Sequence, residues 1–152
     1  MKRRNWWDHV EDHLILGAMP LRSDVKKLAA ENVRGVVNMC KEYPGPKDLY
    51  AENHIEQLWL PTVDFNPPSL DDVRRGVDFI QRHIEKGQTV YVHCKAGRAR
   101  SATVVMCFLI AHRKMSIDQA HRFLLEKRPH ISRSLPESPT VLAFAQEQAK
   151  AG

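Results

Sequence analysis

The architecture of this chain can be worked out from one stretch, Val90-Tyr91-Val92-His93-Cys94-Lys95-Ala96-Gly97-Arg98-Ala99-Arg100-Ser101. It begins with β-branched and aromatic residues, which are typical of a buried strand. It leads into segment 100–113, which is apolar on almost every side, as expected for a helix at the centre of a domain. Between the two, Gly97 permits a turn geometry that a side chain would resist. The stretch therefore predicts a strand, a short loop and a buried helix in succession.

The loop from Cys94 to Arg100 has the features of a phosphate-binding site. Successive backbone N–H groups in such a turn, together with the N-terminal end of the following helix, attract an anion. The same positive field favours the thiolate of Cys94, which is the nucleophilic form of cysteine. Arg100 can bind two phosphoryl oxygens through its planar guanidinium, and Ser101 can donate a hydrogen bond to the sulfur. The pattern predicts a phosphatase that forms a phosphocysteine; an inert core cysteine is the alternative.

Cleavage of a phosphate ester also needs a general acid, because the departing alkoxide must take up a proton. Asp64 is the candidate, since it lies in a proline-bounded loop after a predicted strand, about 30 residues before Cys94. The same carboxylate would then activate the water that hydrolyses the phosphocysteine. Asp71 and Asp72 are alternatives, but they lie in the first turn of a predicted helix, where the helix dipole alone accounts for acidic residues.

Runs of β-branched and apolar residues alternate with stretches of helical period along the chain. The runs at 14–16, 33–37, 55–60 and 89–92 predict strands. Helices are expected over 69–86 and 116–128, each opened by a capping pattern, over 100–113, and from about 139 to the end. This alternation predicts an α/β fold. A chain of 152 residues with 43% hydrophobic content fits a single domain spanning 1–152.

Composition excludes several classes of protein. The longest purely apolar run, 104–111, is far shorter than the roughly 20 residues that cross a bilayer. The basic segment 1–7 lacks the apolar part of a secretory signal, so we expect any transit peptide to be absent or already removed. Three cysteines without a CxxC pair argue against a disulfide framework, and eight histidines show no metal-ligand spacing. We therefore expect reduced thiols, no metal and no cofactor.

The formal net charge of +5 favours anionic partners. Nucleic acid is not expected, because the basic residues are not interleaved with aromatic ones and no nucleic-acid-binding motif is present. Lys95 and Arg98 add two cations to the loop, which suits a headgroup bearing a second phosphate; charges that merely point to solvent are the alternative.

Basic residues also predict peripheral contact with an anionic membrane, with ordinary solvated charges as the alternative. Trp6 and Trp7 would then rest at the membrane interface or, equally, pack in the core. The basic residues concerned are Lys2, Arg3, Arg4, Arg128 and Arg133.

Segment 93–101 matches the HCxxGxxRS signature of the protein tyrosine phosphatase superfamily, and the short chain with its upstream acid resembles the dual-specificity branch. Within that branch, segments along nearly the whole chain resemble the mitochondrial phosphatases that act on phosphatidylglycerophosphate. These segments are 4–6, 16–23, 31–37, 62–64 and 93–98. The resemblance implies a central, mainly parallel sheet flanked by helices. It also implies a role in cardiolipin synthesis at the matrix side of the mitochondrial inner membrane.

The resemblance assigns roles to individual residues. It makes Cys94 the nucleophile, Arg100 the phosphate clamp and Asp64 the general acid. Segment 38–43 corresponds to a loop beside the active site that is richer in glutamate in the family, and Lys41 departs from the acidic residue expected there. The further residues expected around the substrate are Glu42, Tyr43, Lys95, Ala96, Gly97, Arg98 and Ala99, with Ser101 and His93 supporting the thiolate.

Three functions stay open from the sequence. The first is a phospholipid phosphatase, expected to be a monomer with an anionic phospholipid as substrate. The second is a dual-specificity protein or phosphoinositide phosphatase, and the third is a catalytically silent phosphate-binding module. A protective disulfide between Cys40 and Cys94 is possible under oxidation, whereas Cys107 is expected in the core.

Overall fold

The computed structural model describes residues 4–152, in which helices surround one five-stranded sheet. The strands are β1 (Trp7–Glu11), β2 (Leu14–Gly17), β3 (Val33–Cys40), β4 (Glu56–Thr62) and β5 (Thr89–His93). The α-helices are α1 (Asp24–Ala30), α2 (Lys47–Glu52), α3 (Leu70–Glu85), α4 (Arg100–His112), α5 (Ile117–Lys127) and α6 (Pro139–Ala151). A short 3₁₀ helix covers Leu135–Glu137.

The sheet has the order β1-β2-β5-β3-β4, and every neighbouring pair except β1 and β2 is parallel. The predicted α/β fold with a mainly parallel central sheet is therefore confirmed. Parallel strands bring their carboxyl ends to one edge, where α/β proteins commonly bind ligands. In register across that edge, His93 at the end of β5 lies beside Gly17 of β2 and Asn38 of β3.

The core occupies both faces of the sheet, as the alternation of side chains along a strand requires. Val37 and Val92 lie in a cluster with α3 and α4, whereas their neighbours Val36 and Tyr91 belong to a second cluster with α1 and α2. All residues of α4 from Arg100 to Ala111 are buried. The prediction of a central apolar helix is thus confirmed, and Cys107 lies in the core as expected.

The predicted helix starts are confirmed by their caps. The Ser69 hydroxyl accepts the N–H of Asp72 at the start of α3, and Ser116 and Gln119 form a reciprocal capping box at the start of α5. Sequence patterns did not identify β1, α1 or α2. In β1 only Val10 is fully buried, so the strand lacks the apolar run by which the other strands were found.

Candidate active site

The predicted phosphate loop joins β5 to α4 at the carboxyl edge of the sheet. Cys94 directly follows the last residue of β5, and α4 begins at Arg100. The sequence of strand, loop and buried helix is therefore confirmed. The N-terminal end of α4 faces the space that the loop encloses, and this end of a helix attracts anions.

Four consecutive carbonyl groups of the loop accept hydrogen bonds from residues outside it. The C=O and N–H of a trans peptide point in opposite directions, so outward carbonyls turn the N–H groups of residues 96–99 towards the inside of the loop. Inward N–H groups of this kind form an anion-binding nest. The bonds are Lys95 O with Met19 N (3.1 Å), Ala96 O with Arg128 Nη2 (3.1 Å), Gly97 O with Arg128 Nε (2.8 Å) and Arg98 O with Ser132 N (2.8 Å).

Glycine is required at position 97 for two reasons. Gly97 has a φ of +67°, a backbone conformation that residues with a side chain rarely adopt. A Cβ atom there would also lie 2.4 Å from the carbonyl oxygen of Gly17 and 2.9 Å from Nη2 of Arg128. The loop therefore packs directly on the end of β2.

Cys94 is 3% exposed, and its environment favours the thiolate. Burial on its own raises the pKa of the thiol. The Ser101 hydroxyl, 3.1 Å from the sulfur, and the backbone N–H groups of Ser101, Arg98 and Gly97 outweigh burial, so that the pKa of Cys94 lies below its ordinary value. The cysteine that the sequence predicts as the nucleophile thus lies among groups that lower the pKa of its thiol.

Arg100 is buried, and carboxylates orient its guanidinium. Nη1 donates to Oε1 of Glu42 at 2.8 Å and to the carbonyl of Thr62 at 2.8 Å, while Nη2 donates to Oε2 of Glu42 at 3.0 Å. The bond from Arg100 lowers the pKa of Glu42 to about 2, and Lys95 contributes through its charge. Glu42 was expected next to the substrate; in the structure its carboxylate contacts Arg100 and fixes the plane of that side chain.

Asp64 lies in the loop after β4, close to the other predicted site residues. Its Oδ1 atom is 3.3 Å from Nη2 of Arg100 and accepts the N–H of Phe65 at 3.0 Å. The carboxylate is partly exposed and lines the same cleft as Cys94. Asp71 and Asp72, the alternatives for the general acid, instead pair with arginines of α3 and do not line this cleft.

His93 and Tyr43 lie beneath the loop and do not line the cleft. Nδ1 of His93 is 3.2 Å from the carbonyl oxygen of Cys94, and the imidazole stacks on Tyr91 with ring centroids 5.6 Å apart. Burial, with a smaller effect of Arg100, lowers the pKa of His93 to about 4. Tyr43 contacts the His93 ring edge to face and donates its hydroxyl to the carbonyl of Pro20 at 3.2 Å. His93 therefore contacts the backbone of the loop, and Tyr43 packs against His93.

A cleft of about 780 Å³ opens above the loop. Lys95 and Arg98 are exposed at its rim, and Nε of Arg98 donates to the carbonyl of His130 at 2.7 Å. The cleft is lined by Asp64, Phe65, Asn66, Pro67, Pro68, Cys94, Lys95, Ala96, Arg98, Ala99, Arg100, Thr103, Ser132, Ser134, Leu135, Glu137, Ser138 and Pro139.

Comparison with known proteins agrees with this geometry. Residues 14–146 match the model of the dual specificity phosphatase catalytic domain. The chain belongs to the dual-specificity phosphatase family. The match includes every residue of the loop and both strands that flank β5.

Relatives of this dual-specificity phosphatase include phosphatidylglycerophosphate phosphatase PTPMT2 of Arabidopsis thaliana, 37% identical over 147 residues, which are 95% of the chain and 64% of the relative. Phosphatidylglycerophosphatase and protein-tyrosine phosphatase 1 of Homo sapiens is 42% identical over 135 residues, 84% of the chain and 67% of the relative. A crystal structure of PTPMT1 in complex with PI(5)P superposes with a TM-score of 0.89 at 36% identity, covering 97% of this chain and 100% of that one. The resemblance inferred from the sequence is confirmed.

Sequence reasoning missed several residues around the site of this dual-specificity phosphatase. Ser132 and Ser134 lie in an irregular segment after α5 that carries no motif, and Phe65 was passed over as part of a loop. Arg128 was predicted among the basic residues that contact a membrane. That prediction is wrong, because Arg128 is 1% exposed and donates to the loop carbonyls and to Asp8. Lys2 and Arg3 lie outside the described residues.

The remaining cysteines and metal-ligating groups add little to the site. Cys40 and Cys107 are buried free thiols whose pKa burial raises to about 12. Within residues 4–152, His, Cys, Asp and Glu side chains form no cluster that would hold a metal ion.

Proposed function

We propose that this protein is a metal-independent cysteine phosphatase that hydrolyses phosphatidylglycerophosphate to phosphatidylglycerol, the precursor of cardiolipin. One observation carries the chemical part of the proposal. The sulfur of Cys94 lies at the base of a nest of inward N–H groups, with the oriented guanidinium of Arg100 beside it. A nucleophile and a preorganised site for the charge of a phosphoryl group are thus in one place.

In the first step the Cys94 thiolate attacks phosphorus, an S–P bond forms and the bond to the leaving oxygen breaks. The loop N–H groups and Arg100 stabilise the charge on the equatorial oxygens. Asp64, which lines the cleft beside Cys94, gives its proton to the leaving alkoxide. The product alcohol then departs and leaves phosphocysteine.

In the second step a water molecule attacks phosphorus, the S–P bond breaks and the sulfur leaves as thiolate. Asp64, now ionised, takes the proton of the water. The Ser101 hydroxyl, 3.1 Å from the sulfur, stabilises the departing thiolate. Inorganic phosphate is released and the enzyme returns to its starting state.

The lipid substrate is supported by charge and by the named relatives. The relatives from Arabidopsis thaliana and Homo sapiens are both named as phosphatases of phosphatidylglycerophosphate. Phosphatidylglycerophosphate carries a phosphodiester close to its terminal phosphate. Lys95 and Arg98 are exposed at the rim of the cleft, and two cations beside the loop suit a headgroup that carries this second charge.

Peripheral contact with an anionic membrane is part of the proposal. Phe65 at the mouth of the cleft is 98% exposed, and Val63 on the same loop is 51% exposed. Leu21, in the segment between β2 and α1, is 56% exposed, and Arg4 and Arg133 are exposed cations. Apolar side chains with basic ones around them are typical of surfaces that bind acidic lipid.

No helix among residues 4–152 is long and apolar enough to cross a bilayer. We infer that the protein attaches to the membrane through the surface just described. We also infer that it lies at the matrix face of the mitochondrial inner membrane, as the resemblance implies.

A phosphoinositide substrate is the second candidate, because a related PTPMT1 structure holds PI(5)P.

Both candidates share the cysteine mechanism. Rapid-quench mass spectrometry during turnover of an aryl phosphate in EDTA should therefore show one phosphoryl group on Cys94. Turnover by Cys94→Ser would contradict the mechanism, as would loss of activity in EDTA. Catalytic inactivity of the native protein would favour the phosphate-binding module instead.

A further inference from the structure

Arg128 is an unusual buried cation at the C-terminal end of α5. It is 1% exposed, and its closest carboxylate, Asp8 of β1, accepts from Nη1 at 2.7 Å. Burying an arginine is costly unless its donors are satisfied, so such a residue needs several partners. The other partners are four backbone carbonyls. Two lie in the loop: Gly97 O is 2.8 Å from Nε and Ala96 O is 3.1 Å from Nη2. Two lie near the start of the chain: Asn5 O is 3.0 Å from Nη1 and Trp6 O is 3.4 Å from Nη2.

Two of these partners belong to the phosphate loop. The carbonyls of Ala96 and Gly97 are the outward ends of the peptide groups whose other ends are the N–H groups of Gly97 and Arg98. We propose that Arg128 is a positioning residue, which turns these two N–H groups towards the Cys94 sulfur and the phosphate without itself touching substrate.

Arg128 differs from the other groups that orient the loop, because it acts through its side chain. Of the four outward carbonyls, those of Lys95 and Arg98 accept from backbone N–H groups of Met19 and Ser132. The two between them depend on one side chain, that of Arg128. Substitution of Arg128 therefore alters the hydrogen bonds of the two central loop carbonyls without changing a residue that lines the cleft.

The electrostatic consequence follows from the same peptides. The N–H groups of Gly97 and Arg98 are among those that lower the pKa of Cys94. If either peptide rotates, the thiolate and the phosphoryl oxygens lose a donor together. Removal of Arg128 should thus make the nucleophile less ionised as well as the loop less ordered.

The two ends of the Arg128 guanidinium allow a purely structural role to be separated from positioning. The Asp8 carboxylate ties α5 to β1, whereas the Ala96 and Gly97 carbonyls belong to the loop. Arg128→Lys keeps the charge and can still pair with Asp8, but an ammonium group cannot reproduce the fork that binds both carbonyls. Asp8→Asn removes the ion pair and leaves the loop contacts in place.

The test is the pH dependence of Cys94 alkylation by iodoacetamide, followed by mass spectrometry of the peptide containing Cys94. Arg128→Lys should raise the pKa of Cys94 by about one unit, so that alkylation below that pKa is about tenfold slower. Asp8→Asn should lower the unfolding midpoint but leave the alkylation profile unchanged or slightly shifted to lower pH. An unchanged profile in folded Arg128→Lys, or an equal upward shift in Asp8→Asn, would overturn the proposal.

A chemical rescue gives a second, independent test of positioning. Arg128→Ala leaves a cavity that methylguanidinium can enter at millimolar concentration, and rescue should restore most of the lost alkylation rate and the kcat for an aryl phosphate. Rescue of the unfolding midpoint without rescue of the alkylation rate would contradict positioning. The inference rests on the proposed function only in its claim that Arg128 supports catalysis. Alkylation uses no substrate, so a wrong lipid assignment would leave its outcome unaffected.

Discussion

Arg100 and Glu42 form a two-point ion pair in which each of two guanidinium nitrogens donates to a different carboxylate oxygen, at 2.8 and 3.0 Å. Glu42 follows β3, whereas Arg100 opens α4, so the pair joins two segments that are far apart in sequence. Because Arg100 lowers the pKa of Glu42 to about 2, the carboxylate is ionised throughout the neutral range. The pair holds the guanidinium plane ready for a phosphoryl group.

Glu42→Gln should therefore lower kcat by up to about 10²-fold, because a misaligned Arg100 loses interactions that strengthen in the transition state. Steady-state kinetics with an aryl phosphate measures the effect. Asp48→Asn is a matched control, since Asp48 makes a similar two-point pair with Arg22 on the exposed surface. Equal activity losses in both variants would show that Glu42 has no specific effect on the site.

The general-acid assignment predicts a dependence on the leaving group. Asp64→Asn should slow the turnover of alkyl phosphates by about 10² to 10⁴-fold and that of an activated aryl phosphate far less, because only the poor leaving group needs the proton. Asp71→Asn, on the exposed surface of α3, should affect neither. Equal losses on both substrates in Asp64→Asn would assign the proton transfer to another group.

Burial of His93 predicts a loss of stability in mild acid. Its folded pKa, about 4, lies below the ordinary value of 6.5, and Nε2 has no hydrogen-bond partner among the described residues. The unfolded chain therefore takes up a proton at a higher pH than the folded one. The free energy of unfolding is therefore not reduced by His93 above pH 6.5. As the pH drops to about 4, the effect of His93 lowers it by about 3 kcal/mol in all.

Urea unfolding at several pH values between 7 and 4 tests this effect in His93→Asn. The variant should lose about 3 kcal/mol less than the native protein over that range. His54→Asn is the control, because His54 is exposed and has a φ of +56°, which asparagine tolerates. If His93→Asn and the native protein show the same pH dependence, the imidazole is not buried in its neutral form.

The exposed Phe65 predicts a role in membrane binding. Phe65→Ser should weaken binding to anionic vesicles by roughly tenfold to a hundredfold, the range expected when one aromatic side chain no longer enters the lipid. Turnover of a soluble aryl phosphate should change little. Leu142→Ser is the control, since Leu142 is 45% exposed on α6 but does not line the cleft. Unaltered vesicle binding by Phe65→Ser would remove Phe65 from the membrane surface.

Local signals in the sequence were enough to predict the strand, loop and helix around Cys94 and the roles to test for Arg100 and Asp64. The spacing of the loop is local, and α4 is apolar on all sides, so both are visible without a structure. The pairing of Glu42 with Arg100 was not visible, because it depends on the order of β5 and β3 in the sheet.

Arg128 shows a second limit. A charged residue near the end of an amphipathic helix normally lies in solvent, and its sequence neighbours do not reveal that the carbonyls of residues 96 and 97 surround it. The strand β1, which supplies Asp8, was missed as well. The roles that sequence patterns could not assign thus depend on contacts between distant segments.

Phosphate release in EDTA from phosphatidylglycerophosphate, compared with release from a phosphotyrosine peptide and with Cys94→Ser as the blank, tests the proposed activity. We expect a strong preference for the lipid, reduced towards the peptide level when Lys95 and Arg98 are replaced by glutamine. Equal rates on both substrates, or a preference for the peptide, would contradict the phospholipid assignment while leaving the cysteine mechanism in place.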